Sequence, residues 1–90
     1  MIIKGNVKNV TTFANYVTLF IEATEPVNFM GKTLKFTLSN NNCQHLLKWA
    51  QLQNGDKVTI RRDQNSSMPR NRRYTLESVK SQAIDMEEID

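Results

Sequence analysis

Two stretches in which apolar side chains recur at every second position constrain the fold of this chain more than any other feature. In residues 15–23 apolar side chains fall at every second position, and residues 32–38 repeat the pattern. A period of two is that of a β-strand, whose successive side chains point to opposite faces of a sheet. The inward series are Val17, Leu19, Ile21 and Ala23 in the first stretch and Leu34, Phe36 and Leu38 in the second. The chain is therefore predicted to be built around a sheet with one buried face.

Three further stretches are predicted as strands. Residues 2–10 form the first, and Gly5 within it marks a bulge or a strong bend, because glycine weakens a regular strand. Residues 57–61 alternate again after a Gly-Asp turn, and a last strand runs roughly over residues 73–80. The pattern leaves the inward face of that last strand open between two sets, Tyr74 with Leu76, or Val79.

One helix is predicted between the third and fourth strands. Four apolar residues at i, i+3, i+4 and i+7 follow an Asn-rich turn and indicate one face of a helix of about three turns. These residues are Cys43, Leu46, Leu47 and Ala50. Asn54-Gly55 ends the helix in the manner of a C-terminal glycine cap. Trp49, beside the apolar face, is predicted to pack in the core.

The resulting order is strand, strand, strand, helix, strand, strand. Ninety residues make one domain with a modest core, and an all-β five-stranded barrel with the helix at one end is the economical arrangement. The run Gly55-Asp56-Lys57-Val58-Thr59-Ile60, in which a Gly-Asp turn leads into an alternating strand, resembles the OB-fold of bacterial single-stranded-DNA-binding proteins. As an order of elements, the resemblance covers residues 2–80. It implies a Greek-key barrel that binds oligonucleotides on strands 2 and 3 and on loops 1–2 and 4–5.

Basic side chains are concentrated in one supersecondary unit. Residues 57–80 are predicted as two strands joined by a long loop, and they carry seven Lys and Arg side chains against two acidic ones, a net charge of +5. Such a concentration of like charges does not stabilise the folded state, because the charges repel one another. Lys and Arg side chains that neutralise phosphates, in contrast, release condensed counterions. The unit therefore predicts nucleic acid as a partner.

Two aromatic side chains fall on the polar face of the second strand. Tyr16 and Phe20 alternate with the inward series, and nucleic-acid bases cover such rings well, because stacking is worth about 1–3 kcal/mol per base and tolerates any sequence. The alternative is that the pair packs under loops or against a partner subunit. Phe13 and Phe29 stay open between loop anchoring and ligand contact. The candidate nucleic-acid-binding residues are Tyr16, Phe20, Lys35, Lys57, Arg61, Arg70, Arg72, Arg73 and Tyr74.

No catalytic site, metal site or cofactor is predicted, so the chain is not expected to be an enzyme. Cys43 and His45 lie two residues apart on the predicted helix, whereas a metal site takes three or four ligands. A nucleophilic pair is also excluded, because Cys43 fits the apolar face. A single cysteine allows no intrachain disulfide, and the apolar runs are too short to span a bilayer. A cytoplasmic protein without membrane contact is expected.

Three functions stay open at this point. The first expectation is a sequence-tolerant single-stranded-DNA-binding protein of compact phage or plasmid type, with DNA favoured over RNA and residues 1–84 as the binding domain. The second is a protein-interaction module, or one subunit of a homodimer, without a nucleic-acid ligand. The third is a binder of RNA or duplex DNA. Residues 85–90 carry four acidic side chains and predict a flexible tail that competes for the basic groove or docks on a partner protein.

Overall fold

The computed structural model describes residues 1–63, 67 and 69–80. Five antiparallel strands form one sheet, and a short helix lies between the third and the fourth. The elements in chain order are β1 (Ile2–Thr12), β2 (Val17–Glu25), β3 (Thr33–Leu38), α1 (Leu46–Ala50), β4 (Lys57–Arg62) and β5 (Tyr74–Lys80). The predicted order of five strands and one helix is confirmed. The predicted acidic tail, residues 85–90, lies outside the described residues.

The sheet has the strand order β3-β2-β1-β4-β5. The long β1 occupies the middle because its beginning pairs with β4 while most of its length pairs with β2. Three consecutive strands, with a fourth that returns to lie beside the first, make a Greek-key order. Single turns of 3-10 helix at Val27–Phe29 and Arg70–Arg72 lie in the connections from β2 to β3 and from β4 to β5.

The core lies against the inward faces of the strands. The predicted facing of β2 and β3 is confirmed: six of the seven predicted side chains are buried, and Leu34 is half-buried against them. Trp49 is 1% exposed, as expected for core packing, and its indole Nε1 donates a hydrogen bond to the Gln44 carbonyl oxygen at 3.2 Å. A buried indole N–H usually finds such a partner, and this one ties α1 to the turn that precedes it.

The predicted closure of the sheet into a barrel is wrong. β3 and β5 are the edge strands, and within the described residues one isolated parallel bridge, between Cys43 and Tyr74, connects β5 to the segment after β3. The chain leaves β3 in a turn held by side chains: the Ser39 amide donates to Asn42 Oδ1 at 2.9 Å, and Asn42 Nδ2 donates to the Thr37 carbonyl at 2.8 Å. The Ser39 amide and the Thr37 carbonyl are therefore bonded to a side chain, whereas a closed barrel would need backbone hydrogen bonds between β3 and β5. The sheet stays open at this edge.

The helix is shorter than predicted. α1 begins at Leu46 because His45 has a φ of 57°, in the left-handed region that a right-handed helix excludes. Cys43 lies in the turn after β3, where its amide donates to the Ser39 carbonyl at 3.0 Å. The helix therefore has five residues instead of about three turns. Leu47 is 79% exposed, so its predicted place on the apolar face is also wrong.

The β1–β2 ladder is irregular at Gly5, where the sequence predicted a bulge or a strong bend, and the extra residue there is Thr24 of β2. The β1–β2 ladder shifts register between Lys4 and Gly5. A Cβ atom at Gly5 would lie 2.5 Å from the backbone carbonyl oxygen of Glu22 on β2. Any other residue would push the two strands apart, so the close approach of β1 to β2 depends on the missing side chain.

A second irregularity settles the inward face of β5. The β4–β5 ladder shifts register between Thr59 and Ile60. On one side of the shift Val79 is opposite the buried Val58, and on the other side Leu76 is opposite the buried Ile60. Because an extra residue on β5 resets the alternation, Leu76 and Val79 both lie opposite core residues of β4, whereas Tyr74 is opposite Arg62 and Val79 is 43% exposed.

Candidate nucleic-acid interface

The outer face of β2 and β3 places a predicted aromatic residue beside a predicted cation. Phe20 and Lys35 are directly opposite partners in the β2–β3 ladder, and Lys35 Nζ lies 6.0 Å from the centroid of the Phe20 ring. Thr18 and Thr37 form the next outward pair along the same two strands. A ring beside an ammonium group offers a base a stacking surface and offers its phosphate a counter-charge.

Phe20 points outward because of the alternation within β2. Its neighbours Leu19 and Ile21 are fully buried, whereas Phe20 is partly exposed and lies outside the hydrophobic core cluster. An aromatic side chain in a small core would contribute much of the stabilising apolar area. The chain places this ring on the outer face of the sheet instead, where it stays partly exposed.

Tyr16 lies just before β2 and forms a pair that the sequence did not reveal. Its ring stacks on that of Phe13, with centroids 4.5 Å apart and planes inclined by 16°. The Phe13 amide donates to the Tyr16 carbonyl at 2.9 Å, which closes the β1–β2 hairpin. The rings are 46% and 38% exposed for Phe13 and Tyr16. A short turn between two aromatic residues is the signal that could have predicted the pair.

Tyr74 contributes to packing within the fold. Its half-buried ring meets Phe36 edge to face, with centroids 5.5 Å apart, and it packs against the core cluster. The guanidinium carbon of Arg62 lies 5.9 Å from the Tyr74 ring centroid. Among the predicted aromatic residues, Tyr16 and Phe20 are therefore the ones placed on the outside of the sheet, with Phe13 added to them.

The arginine segment, residues 70–73, lies against the end of β3. Its three arginines are exposed. The Tyr74 amide that follows it donates to the Asn42 carbonyl at 2.9 Å, and the Asn42 side chain donates to the Thr37 carbonyl of β3. Thr37 is opposite Thr18 on the outer face. These bonds bring the start of β5, which directly follows the arginine segment, to the turn after β3, although β5 and β3 are the two edge strands of the sheet.

The two predicted cations of β4 are placed differently. Lys57 begins the strand and is directly opposite Lys80 of β5. Arg61 lies near the other end, and its Nε is 3.0 Å from Glu77 Oε1. A phosphate that binds Arg61 must therefore compete with a carboxylate that is already in place.

The described part of the chain carries a large surplus of positive charge. It contains all twelve Lys and Arg side chains and five of the nine acidic ones. Three of these acids form salt bridges with basic side chains, namely Glu22, Glu25 and Glu77. In residues 1–63, 67 and 69–80, no acidic side chain forms a salt bridge with Lys35, Lys57 or the arginine segment. These cations therefore remain available to a polyanion.

The histidine and cysteine side chains form no reactive arrangement. In the ranges that the structure describes, no group of three or more His, Cys, Asp or Glu side chains could hold a metal ion. Cys43 is buried, and burial raises the pKa of its thiol to about 11 from 9.0. A thiol with that pKa is protonated at neutral pH, and the thiolate is the nucleophilic form. Cys43 therefore acts as a small apolar side chain of the core.

Comparisons with known proteins give no match: no protein-family model, no curated protein and no solved structure is similar to this chain. No helix among the described residues is long and apolar enough to cross a membrane. What this protein does has to be argued from its own surface.

Proposed function

We propose that this protein binds single-stranded DNA without sequence preference, across the outer face of β2 and β3 and against the arginine segment. The observation that carries the proposal is the Phe20 ring, partly exposed on a polar sheet face with Lys35 directly opposite. Bases stack on such a ring whatever their identity, because every base has a π-face, and the phosphate carries the charge that the ammonium group attracts.

Two further features support a strand that crosses this face. Tyr16 and Phe20 are four positions apart, which on an extended strand is roughly 13 Å, so the two rings serve different nucleotides. The arginine segment flanks the same face, and a guanidinium group both pairs with phosphate oxygens and stacks on bases. The two features supply stacking and charge along one surface.

We also infer that the fold is an open relative of the OB-fold. Support comes from the element order β-β-β-α-β-β and from the strand order β3-β2-β1-β4-β5. The bridge between Cys43 and Tyr74 lies where such a barrel would close β3 onto β5. The cytoplasm is the compartment that we propose, because Cys43 is a free thiol and intracellular proteins keep their thiols reduced.

The direct test is a titration of labelled oligo(dT) with the protein, followed by fluorescence anisotropy. The label belongs on the DNA because Trp49 is 1% exposed and would not sense a ligand on the outer face. If four to six cations contact phosphates, the slope of log K against log salt should be about −3 to −4, at roughly 0.7 per single-strand contact. Duplex DNA and oligo(rU) of equal length should bind more weakly. No binding of any of the three at low salt would refute the proposal and favour a protein-interaction module.

Phe20→Ala tests the stacking directly. Loss of one stacked base, about 1–3 kcal/mol, should weaken oligo(dT) binding roughly 5- to 150-fold, while Phe20→Trp should retain it. The melting temperature should change little, since the ring is outside the core cluster. Leu47→Ala is the control, because it removes an apolar side chain that is exposed away from the proposed interface, on α1. Equal affinities of Phe20→Ala and wild type would exclude stacking at this ring.

A further inference from the structure

A second concave surface lies on the outer side of β1, β4 and β5, away from the arginine segment. It is an open groove of about 440 Å³. Its polar lining comes from strand positions that face outward and consists of ammonium, hydroxyl and amide groups. These groups belong to Lys4, Asn6, Thr24, Lys57, Thr59, Ser78 and Lys80. Among residues 1–63, 67 and 69–80, no acidic side chain lines this groove, which we call the lysine groove.

The ladder registers explain why three lysines meet there. Asn6 of β1 is opposite Lys57 of β4, which is opposite Lys80 of β5, so the three side chains form one row across the sheet. Lys4 belongs to the neighbouring outward row, where it is opposite Thr59. Partners in such a row lie about 5 Å apart between their Cβ atoms. The lysines therefore converge because of strand pairing and not because of loop conformation.

This placement concentrates positive charge on one part of the sheet surface. Like charges directly opposite each other in an antiparallel pair are destabilising, and Lys57 is opposite Lys80. Lys4 pairs with Glu25 at 3.7 Å, but both side chains are about half exposed or more, and a surface ion pair contributes little. An anion that accepts hydrogen bonds from several donors would relieve the repulsion. A phosphate group has that chemistry, since its oxygens accept from ammonium and hydroxyl groups alike.

The row of the lysine groove continues to the proposed binding face. Asn6 is also opposite Glu22 of β2, which is two residues beyond Phe20 on the same outward face. Neighbouring strands are about 4.8 Å apart, so Lys57 on β4 lies roughly 10 Å across the sheet from the β2 strand that carries Phe20. A strand of a few nucleotides covers that distance.

We propose that the lysine groove binds phosphate groups of the same DNA strand whose bases stack at Phe20. This inference rests on the proposed function and extends it: the strand runs across the sheet from the arginine segment at the β3 edge, over Phe20, to Lys57 and Lys80. The groove then contributes affinity only to oligonucleotides long enough to reach it.

The test compares Lys57→Gln/Lys80→Gln with a matched double variant, Lys32→Gln/Lys48→Gln. The control removes the same charge from exposed positions that do not line the groove. Each protein is titrated with an oligo(dT) length series at several salt concentrations. We expect the groove variant to lose about 1.4 from the magnitude of the salt slope, since two contacts contribute roughly 0.7 each. It should also lose the gain in affinity that wild type shows between short and long oligomers, and the control should keep both.

The outcomes separate the two proposals. If wild type binds oligo(dT) and the groove variant has the same slope and length dependence as the control, the groove inference fails while the proposed function stands. If wild type binds no oligo(dT), both fail. The melting temperature of the groove variant should stay close to that of wild type, because both lysines are exposed and surface substitutions usually change stability little. A loss of affinity accompanied by a marked fall in melting temperature would indicate a folding defect and would overturn the phosphate interpretation.

Discussion

Removal of one carboxylate should strengthen DNA binding, and this is the sharpest consequence of the interface geometry. Glu77 Oε1 lies 3.0 Å from Arg61 Nε, with the two side chains 38% and 48% exposed. Both side chains are on the basic β4–β5 unit. Glu77→Gln keeps the shape of the side chain and leaves the guanidinium group of Arg61 without its acidic partner, so that a phosphate can take that place.

The size of the effect follows from the ion pair and from counterion release. One additional phosphate contact should steepen the slope of log K against log salt by about 0.7. The affinity advantage of Glu77→Gln over wild type should therefore shrink roughly 2.6-fold between 50 and 200 mM salt. The substitution should change the free energy of unfolding by less than about 1 kcal/mol, because exposed ion pairs are worth little. The gain in affinity and the loss in stability are thus separable.

The measurement is anisotropy with labelled oligo(dT) on four proteins: wild type, Glu77→Gln, Arg61→Gln and the double variant. If Arg61 is the group that is released, Glu77→Gln should not steepen the slope in the Arg61→Gln background. The same increase in both backgrounds would mean that only net charge matters. An unchanged or lower affinity of Glu77→Gln on the wild-type background would refute the role of Arg61 as a phosphate contact.

Two further predictions concern the stability of the sheet and of the core beneath the proposed interface. Gly5→Ala should destabilise the fold by about 1–3 kcal/mol, and lower the melting temperature by several degrees, because its Cβ would lie 2.5 Å from the Glu22 carbonyl oxygen. Gly31→Ala is the comparison. Gly31 has a φ of 80° and open space around the position of a Cβ atom, so this substitution introduces backbone strain but no steric clash. Burial raises the pKa of the Cys43 thiol from 9.0 to about 11, so the folded state holds this proton more tightly than the unfolded state. The contribution of the buried thiol to the free energy of unfolding is therefore complete below pH 9. It is lost as the pH rises towards 11, by at most about 1.4 kcal/mol per pH unit. Urea unfolding of wild type and Cys43→Ala between pH 8 and 11 checks this, and parallel curves for the two proteins would contradict it.

The parts of the fold that the sequence predicted are those set by local periodicity. The facing of β2 could be inferred because apolar residues recur at every second position from Val17 to Ala23, and period two is a property of one strand alone. An irregularity at Gly5 could also be predicted, because a glycine inside a strand often marks a bulge or a close backbone approach, whereas the extra residue of β1 at Lys8 carries no such signal. These features require no knowledge of which strands are neighbours.

The features that the sequence did not predict depend on contacts between distant segments or on competition between local bonds. The apolar pattern from Cys43 onward suits a helix, but hydrogen bonds of Ser39 and Asn42 hold that region as a turn. The open sheet follows from the same turn. In the candidate site the outward facing of Phe20 could be predicted, whereas its position opposite Lys35 required the β2–β3 register. A register is a relation between two strands, and periodicity within each does not specify it.

The contacts between the start of β5 and the β3 side of the sheet link the fold to the proposed function. Tyr74 was predicted to contact nucleic acid, yet its ring packs on Phe36 and its amide bonds to Asn42. These contacts fix the start of β5 against the end of β3. The arginine segment ends one residue before Tyr74, so these contacts fix the backbone at the end of the segment. In the proposed binding mode, one bridge and one aromatic contact between β5 and the β3 side of the sheet thus hold the basic segment in place without a complete barrel.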